Sequence, residues 1–162
     1  MSTFTIRPVL PKDDIRLAEV IREVLVEHGV PKVGTAYEDE ALSCMHKTYP
    51  VPRAQYFVVD TPDEGIIGGA GVAQLANFEG NICELQKMYF LPIARGRGIG
   101  SAMIDLCLKT ARDFRFDQCY LETMPNMHAA QNMYKHKGFH YIDGAMGNTG
   151  HYSCPVHMLI DL

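Results

Sequence analysis

No stretch of this chain is apolar for long enough to cross a bilayer, so a helical membrane protein is not expected. Its first residues, MSTFTIRPVLPKDD, lack the apolar core of a secretory signal. Positive charge is not in excess: Lys and Arg number 15 against 19 Asp and Glu, a formal net charge of −4. A general nucleic-acid binder carries a net basic footprint, so that class is not expected either. No C-x-x-C pair occurs among the five cysteines, Cys44, Cys83, Cys107, Cys119 and Cys154, and their spacing fits no zinc pattern. An odd number of scattered cysteines fits reduced thiols, packed as small hydrophobes in a cytoplasmic protein. No repeat, low-complexity tract or linker interrupts the chain. The 162 residues therefore read as one domain, 1–162, with a sizeable core.

What is present is a succession of periodic segments. Thr3 to Val9 alternates and reads as a first strand, with Pro8 marking an edge or the strand's end. Pro11-Lys12-Asp13-Asp14 supplies a turn and cap. From there Ile15, Ala18, Ile21, Val24 and Leu25 recur at helical spacing until Gly29 and Pro31 stop the helix. Thr35-Ala36-Tyr37-Glu38 has the form of a capping box and predicts a second helix, with Tyr37, Ala41, Leu42 and Met45 on one face and Pro50 and Pro52 closing it. QYFVVD at Gln55–Asp60, the glycine-rich run Ile66–Leu75 and Asn81–Phe90 read as an antiparallel meander. Gly68, Gly69 and Gly71 mark a bulge or a close backbone approach.

A long amphipathic helix follows, with Ile99, Ala102, Met103, Leu106, Thr110, Ala111 and Phe114 along one side. The strand Gln118–Thr123 after it makes a strand–helix–strand crossover and thus a parallel pair. A short helix near Met127–Lys137, a strand after Gly138-Phe139, and a last strand alternating Val156, Met158, Ile160 and Leu162 complete the chain.

Between the meander and the long helix lies Arg95-Gly96-Arg97-Gly98-Ile99-Gly100, with Ser101 opening the helix. Bare backbone amides and the positive end of a helix make this a phosphate or pyrophosphate site. A nucleotide-hydrolase loop needs G-x-x-x-x-G-K-[ST], and no Lys-Ser or Lys-Thr follows these glycines. A dinucleotide fingerprint starting at Gly96 would place its third glycine at Ser101, and it belongs in the first βα turn. Arg-x-x-Gly-x-Gly remains, satisfied by Arg95, Gly98 and Gly100.

With ELQKMYFLPIARGRGIG and, later, AAQNMYKHKGF, the chain resembles the GNAT superfamily of acyl-CoA-dependent N-acyltransferases from about Arg7 to Leu162. The resemblance implies an α/β (α+β mixed) fold: a mostly antiparallel, twisted sheet of about six to seven strands flanked by about four helices. It implies acetyl-CoA as cosubstrate, bound by the loop Arg95, Gly96, Arg97, Gly98, Ile99, Gly100 and Ser101, with the amides from about Arg97 to Ser101 around the pyrophosphate. The side chains of Arg95 and Arg97, which flank the glycines, pair with the phosphates or, for Arg97 especially, are solvated. The backbone of Met88, Tyr89 and Phe90 would lie along the pantetheine arm. Many members place an Asn seven residues before the helix tyrosine. Met127 stands there in this chain, and Asn126 is one residue early.

Acetyl transfer to an amine needs a base, a donor for the oxyanion and an acid for the thiolate. Glu84, at a position where many superfamily members carry a carboxylate, is the expected base. The alternative for it is a strand-end carboxylate facing solvent or pairing with Lys87. Tyr134 is the expected acid, since a phenol of pKa ~10 is protonated at neutral pH. Its alternative is a core tyrosine with a satisfied hydroxyl. Cys83 would face away from Glu84, which favours direct transfer in a ternary complex over a cysteine-linked acetyl.

None of the seven histidines has H-E-x-x-H spacing, so no metal is expected; His128 and His151 read as surface residues that lie near the acceptor at most. The expected function is N-acetyl transfer from acetyl-CoA to a primary amine of a small molecule or peptide. The competing reading is a catalytically weak acyl-CoA-binding or regulatory module. No nucleic-acid or membrane partner is expected. The sequence leaves the oligomeric state open, a homodimer being one candidate because dimers are common in the superfamily.

Overall fold

The computed structural model describes residues 3–162. Strands β1 (Thr5–Pro8), β2 (Gln55–Thr61), β3 (Gly65–Gln74), β4 (Ile82–Phe90), β5 (Gln118–Thr123), β6 (His140–Ile142) and β7 (Val156–Asp161) form one sheet in the order β1-β2-β3-β4-β5-β7-β6. Every neighbouring pair is antiparallel except β4 and β5. That exception follows from α3 (Ile99–Asp113), which carries the chain back to the same end of the sheet before β5 begins. β1 is an edge strand, where Pro8 costs no ladder hydrogen bond.

Alternation sends the strands' side chains to the two faces of the sheet, in two large cores and a smaller cluster of Leu75, Ile82, Tyr120 and Leu159. Phe57, Val59, Cys83, Leu85, Cys119 and Leu121 pack with Met103, Cys107 and Ala111 of α3, and with Tyr134 of α4 (His128–His136). Tyr56 and Val58 pack on the other face with Leu17, Ile21 and Leu25 of α1 (Asp14–Glu27). Gly29 stops α1 at φ 64°, in the left-handed region that glycine occupies without cost.

The second helix expected from Thr35 does not form as one helix. Two 3₁₀ turns, Ala36–Glu38 and Glu40–Ser43, are followed by a single turn of α-helix, α2 (Met45–Thr48). The capping box is incomplete. Thr35 Oγ1 accepts from Tyr37 N at 3.3 Å, but the Glu38 carboxylate accepts from Gly34 N at 2.7 Å and not from the N–H of Thr35. Asp39, extended at φ −59° and ψ 123°, breaks the run because its carboxylate is held by Lys87 at 2.9 Å and by His151. A short helix repays its nucleation poorly, and these tertiary ion pairs outweigh it. Leu42 and Met45 of the expected apolar stripe are nevertheless fully buried, while Tyr37 and Ala41 are only partly so.

The site originates in an irregularity of β4. Gly69 pairs with Tyr89 but Gly71 with Gln86, so β4 carries one residue more than β3 at this point. The extra residue is a bulge at Lys87, whose φ is +48°. β3 accommodates it because Gly69 and Gly71 leave room for the Tyr56 ring; a Cβ on either would come within 2.6 Å of that ring. The Tyr56 hydroxyl then donates to Lys87 O at 2.7 Å, satisfying a carbonyl turned out of the ladder. β4 and β5 pair only from Ile82 to Glu84, opposite Gln118 to Tyr120. Beyond Glu84 the two strands separate.

Candidate active site

The glycine loop and the start of α3 lie at one end of this opening. Gly96 and Gly98 have φ of 70° and 73°, and Gly98 is the residue before the first turn of α3. A Cβ at either would meet nothing within 4 Å, so the left-handed backbone requires glycine there, not crowding. No side chain caps α3, which leaves its first N–H groups to an outside acceptor. Gly100 serves packing: a Cβ would lie 2.9 Å from Met133 Cε of α4.

Arg95 donates to both carboxylate oxygens of Glu27 at 2.6 Å and to Phe90 O at 3.2 Å, tying the loop to the end of α1. Arg97 is turned elsewhere, with its guanidinium 5.8 Å from the Phe4 ring centroid.

A cavity of about 290 Å³ opens between β4 and α4, with Val24 and His28 of the α1 end on one side. Met88, Tyr89 and Phe90 form the β4 wall, and Asn126, Met133 and Tyr134 are among the residues opposite. Among the described residues no strand pairs β4 on this side beyond Glu84, so its backbone is open to a ligand lying alongside. Asn126 Nδ2 donates to His28 O at 2.8 Å and so joins two walls of the cavity. Tyr134 packs edge-on against Phe139, 5.8 Å between centroids, and its hydroxyl bonds to none of the described residues. Burial raises its phenol further above the usual value, so it keeps its proton at neutral pH.

Where β4 and β5 part, polar groups collect. Glu84 is 5% exposed, and its Oε1 accepts from Gln86 Nε2 at 2.8 Å. Gln86 Oε1 in turn accepts from the Tyr49 hydroxyl at 2.6 Å, which fixes the amide. Burial and the neighbouring Glu122 raise the Glu84 carboxyl above its usual range, against the hydrogen bond from Gln86 and the charges of His151 and Lys87.

Glu122 extends from β5 on the same face as Tyr120, which pairs with Glu84 across the two strands. His151, from the loop before β7, meets both oxygens of Asp39 through Nε2 at 3.0 and 2.9 Å. Glu84, Glu122 and His151 bring an oxygen, an oxygen and a nitrogen within 4.8 Å of one another. Asp39 holds the His151 imidazole and Thr149 donates to Glu122, so these groups are already partnered within the chain and form a charge cluster.

The structure thus brings Met88, Tyr89, Phe90, Arg95, Asn126 and Tyr134 around one cavity, with the loop from Gly96 to Ser101 leading into α3. Glu84 is not in the cavity's lining and lies buried on the same strand as Met88 to Phe90, at the last β4–β5 pair. Glu84 is neither solvent-facing nor paired with Lys87, whose ammonium is bound to Asp39 instead. The expectation for His151 was wrong: it is half-buried inside the charge cluster and not a surface histidine. His128 is exposed at the cavity. Asp39, Gln86 and Glu122 escaped the sequence reading. Only Glu122 carried a usable signal, a carboxylate inside the apolar strand CYLET.

The model of the acetyltransferase (GNAT) family matches residues 20–139. The uncharacterized N-acetyltransferase YjgM of Escherichia coli (strain K12) is 41% identical over 152 residues, covering 93% of this chain and 90% of that protein. The GNAT-family acetyltransferase of Staphylococcus aureus Mu50 superposes with a TM-score of 0.86 at 21% identity, covering 99% of each chain. The PaiA N-acetyltransferase of Thermoplasma acidophilum, solved in complex with coenzyme A, gives 0.75 at 18% identity and also covers 99% of each chain. A phosphinothricin acetyltransferase of Sinorhizobium meliloti, solved with acetyl-CoA, gives 0.77 at 18% identity over 99% of this chain and 89% of that one. The seven-stranded, mostly antiparallel sheet and four α-helices are those of this fold. This chain belongs to the acetyltransferase (GNAT) family, and its function is acetyl-CoA-dependent acetyl transfer.

Proposed function

We propose that the enzyme transfers the acetyl group directly from acetyl-CoA to a primary amine of a small molecule or peptide, with Glu84 as base and Tyr134 as acid. The observation that carries this reading is the placement of Glu84: a buried carboxylate at the last β4–β5 pair, on the same strand whose Met88, Tyr89 and Phe90 line the cavity with Tyr134. Glu84 takes a proton from the acceptor's ammonium through one water. The amine nitrogen then adds to the acetyl carbon to give a tetrahedral oxyanion. As this collapses the carbon–sulfur bond breaks, the Tyr134 hydroxyl gives its proton to the departing thiolate, and the second proton of the amine nitrogen passes through solvent to the tyrosinate, leaving the amide. A backbone N–H of Met88 to Phe90 receives the oxyanion. The pantetheine arm lies along that backbone and the pyrophosphate on the amides from Gly96 to Ser101, where neither glycine carbon crowds a ligand. Asn126, already bonded to His28, positions the cavity wall without a direct role in the transfer.

Direct transfer is supported by the thiols. Cys83, Cys107 and Cys119 lie in the core under α3. Cys154 is the thiol that senses Glu84 and Glu122, and burial together with their charge pushes it up to about 11, away from the thiolate form. The cysteines are all unpaired, which fits a reducing compartment such as the cytoplasm. Among the described residues no helix is long and apolar enough to cross a membrane.

The test follows thiol release from acetyl-CoA against a panel of amino acids, polyamines, aminoglycosides and peptides. Double-reciprocal plots that intersect support a ternary complex; parallel lines would sink direct transfer. Tight acetyl-CoA binding without thiol release for any amine would favour a binding module.

A further inference from the structure

We propose that His151, gripped by Asp39, is the positioning residue whose positive charge keeps the base Glu84 ionised beside Glu122. The inference rests on the reading of Glu84 as base. Two carboxylates that meet within 4.8 Å in a largely dry site tend to share one proton, and a base that holds a proton cannot take another. The third member of the group, the His151 imidazole, stands within the same 4.8 Å and supplies the opposite charge.

Its position is built, not incidental. Asp39 takes the imidazole with both oxygens at 3.0 and 2.9 Å. The loop that carries His151 is fastened to the segment that carries Asp39: Ser153 N donates to Gly34 O at 3.0 Å, and Ser153 Oγ donates to Val33 O at 3.0 Å. This is also the physical reason that the chain gives up a helix at Asp39.

The charges around His151 come from every neighbouring element. β4 contributes Glu84 and Lys87, β5 contributes Glu122, and the segment before β2 contributes Asp39. Tyr49 faces Glu84 and Asp39 with a phenol that burial holds protonated. Cys154 lies beside the carboxylates and is a neutral thiol. His157 of β7 stands 3.7 Å from Glu122 and accepts or donates at Tyr120 Oη, 2.9 Å away. Lys87, bound to Asp39 at 2.9 Å, also favours the ionised form of Glu84, and His157 approaches Glu122 alone; the His151 imidazole is the group that stands within 4.8 Å of both carboxylates. Asp39 raises the imidazole's affinity for its proton against the opposing effects of burial and Lys87, in keeping with a charged His151 at neutral pH.

The experiment titrates Glu84 directly, in the intact protein without any acceptor. Glutamate is labelled with carbon-13 at the side-chain carboxyl, and the signal lost in Glu84→Gln assigns the residue. His151→Gln should raise the Glu84 midpoint by about one pH unit, about tenfold less carboxylate at a pH below the midpoint. Glu122→Gln should move it the opposite way by a similar amount, and His151→Lys, which keeps a cation, should return it toward the wild-type value. The wild type gives an independent reading that needs no substitution: the Glu84 signal should inflect a second time at the midpoint of the His151 ring, observed through labelled imidazole nitrogens. A Glu84 midpoint unmoved or lowered by His151→Gln, or a wild-type Glu84 signal blind to the His151 titration, would overturn the proposal. Failure of the base assignment has a different signature, a Glu84→Gln enzyme that still releases thiol at the wild-type rate while the carbon-13 titrations behave as stated.

Discussion

On the proposed reading, the donor side of the cleft is one continuous piece of chain, and the acceptor side is assembled from several. Met88 to Phe90, the glycines and the start of α3 follow one another within 14 residues, and they act through backbone groups and small side chains. Around Glu84, by contrast, Asp39, Tyr49, Gln86, Glu122 and His151 meet from segments more than a hundred residues apart, and they act through charge and hydrogen bonds. A backbone cradle needs only a local shape, so it tolerates change in whatever surrounds it. A charge cluster needs all of its members, because removing one leaves another buried without its partner. The donor end can therefore stay the same while the acceptor end is rebuilt.

The comparison is tested most strongly at Glu84. Glu84→Gln should lower kcat by about 10²–10³-fold while the acetyl-CoA Kd stays within about twofold, since the donor cradle does not use this side chain. Thiol-release kinetics and calorimetry on the same preparation check both. Wild-type kcat/KM should also fall as pH drops through a midpoint above the usual glutamate value, because burial, with the charge of Glu122, raises that carboxyl. Stability should move the other way. A carboxyl whose folded pKa is raised favours the fold at low pH and costs stability once pH has risen through the folded value. Glu84→Gln should accordingly unfold at a higher temperature than wild type at pH 8, with the difference vanishing near pH 4. A weak acetyl-CoA Kd in this variant would erase the division between the two sides.

Tyr134 sits where the sides meet. Tyr134→Phe should reduce kcat by about 10–10²-fold, again with little change in acetyl-CoA affinity. The melting temperature should hardly change, because the ring keeps its contact with Phe139 and the hydroxyl bonds to none of the described residues. Equal losses with a good and a poor leaving thiol would count against an acid role.

These expectations also mark how much was legible beforehand. Glu84 and Tyr134 lay inside two contiguous motifs, and the meander, the crossover and the parallel β4–β5 pair followed from periodicity and loop length. The glycines at 68, 69 and 71 suggested a bulge or a close backbone approach. Gly69 and Gly71 show the close approach, while the bulge opposite them, at Lys87 of β4 with Tyr56 supporting it, was not readable. Asp39 and His151 could not be paired by any local rule. Their 2.9 Å contact closes a loop of 112 residues, and local propensity at Thr35–Glu38 pointed to a helix that the contact prevents. Long-range electrostatics overrode short-range pattern at this point, and the acceptor side consists largely of such contacts.

On the donor side, effects should be smaller. Gly98→Ala places a side chain at φ 73° in open space, so its cost is backbone strain alone, about 1 kcal/mol. Thermal unfolding should fall by roughly 2–4 °C for a chain of this size. If the amides of the first turn hold the pyrophosphate, acetyl-CoA should bind several-fold more weakly while kcat at saturation is retained, the reverse of the Glu84→Gln pattern.

Arg95 gives the smallest expected effect and the finest distinction. It precedes the glycines, where a phosphate contact is the natural expectation, yet its guanidinium is engaged by both oxygens of Glu27 and by Phe90 O. The pair with Glu27 is exposed, and such pairs contribute little to stability. Arg95→Gln should then leave the melting temperature nearly unchanged and raise the acetyl-CoA Kd by less than about threefold, because the phosphates are held by amides and not by this side chain. Two results separate the alternatives. A Kd raised tenfold or more, with a steep dependence on salt that Glu27→Gln does not share, means that Arg95 leaves Glu27 for the phosphates when the donor binds. A small change that Glu27→Gln reproduces means that the residue fastens the loop to α1 and that the donor side works through its backbone.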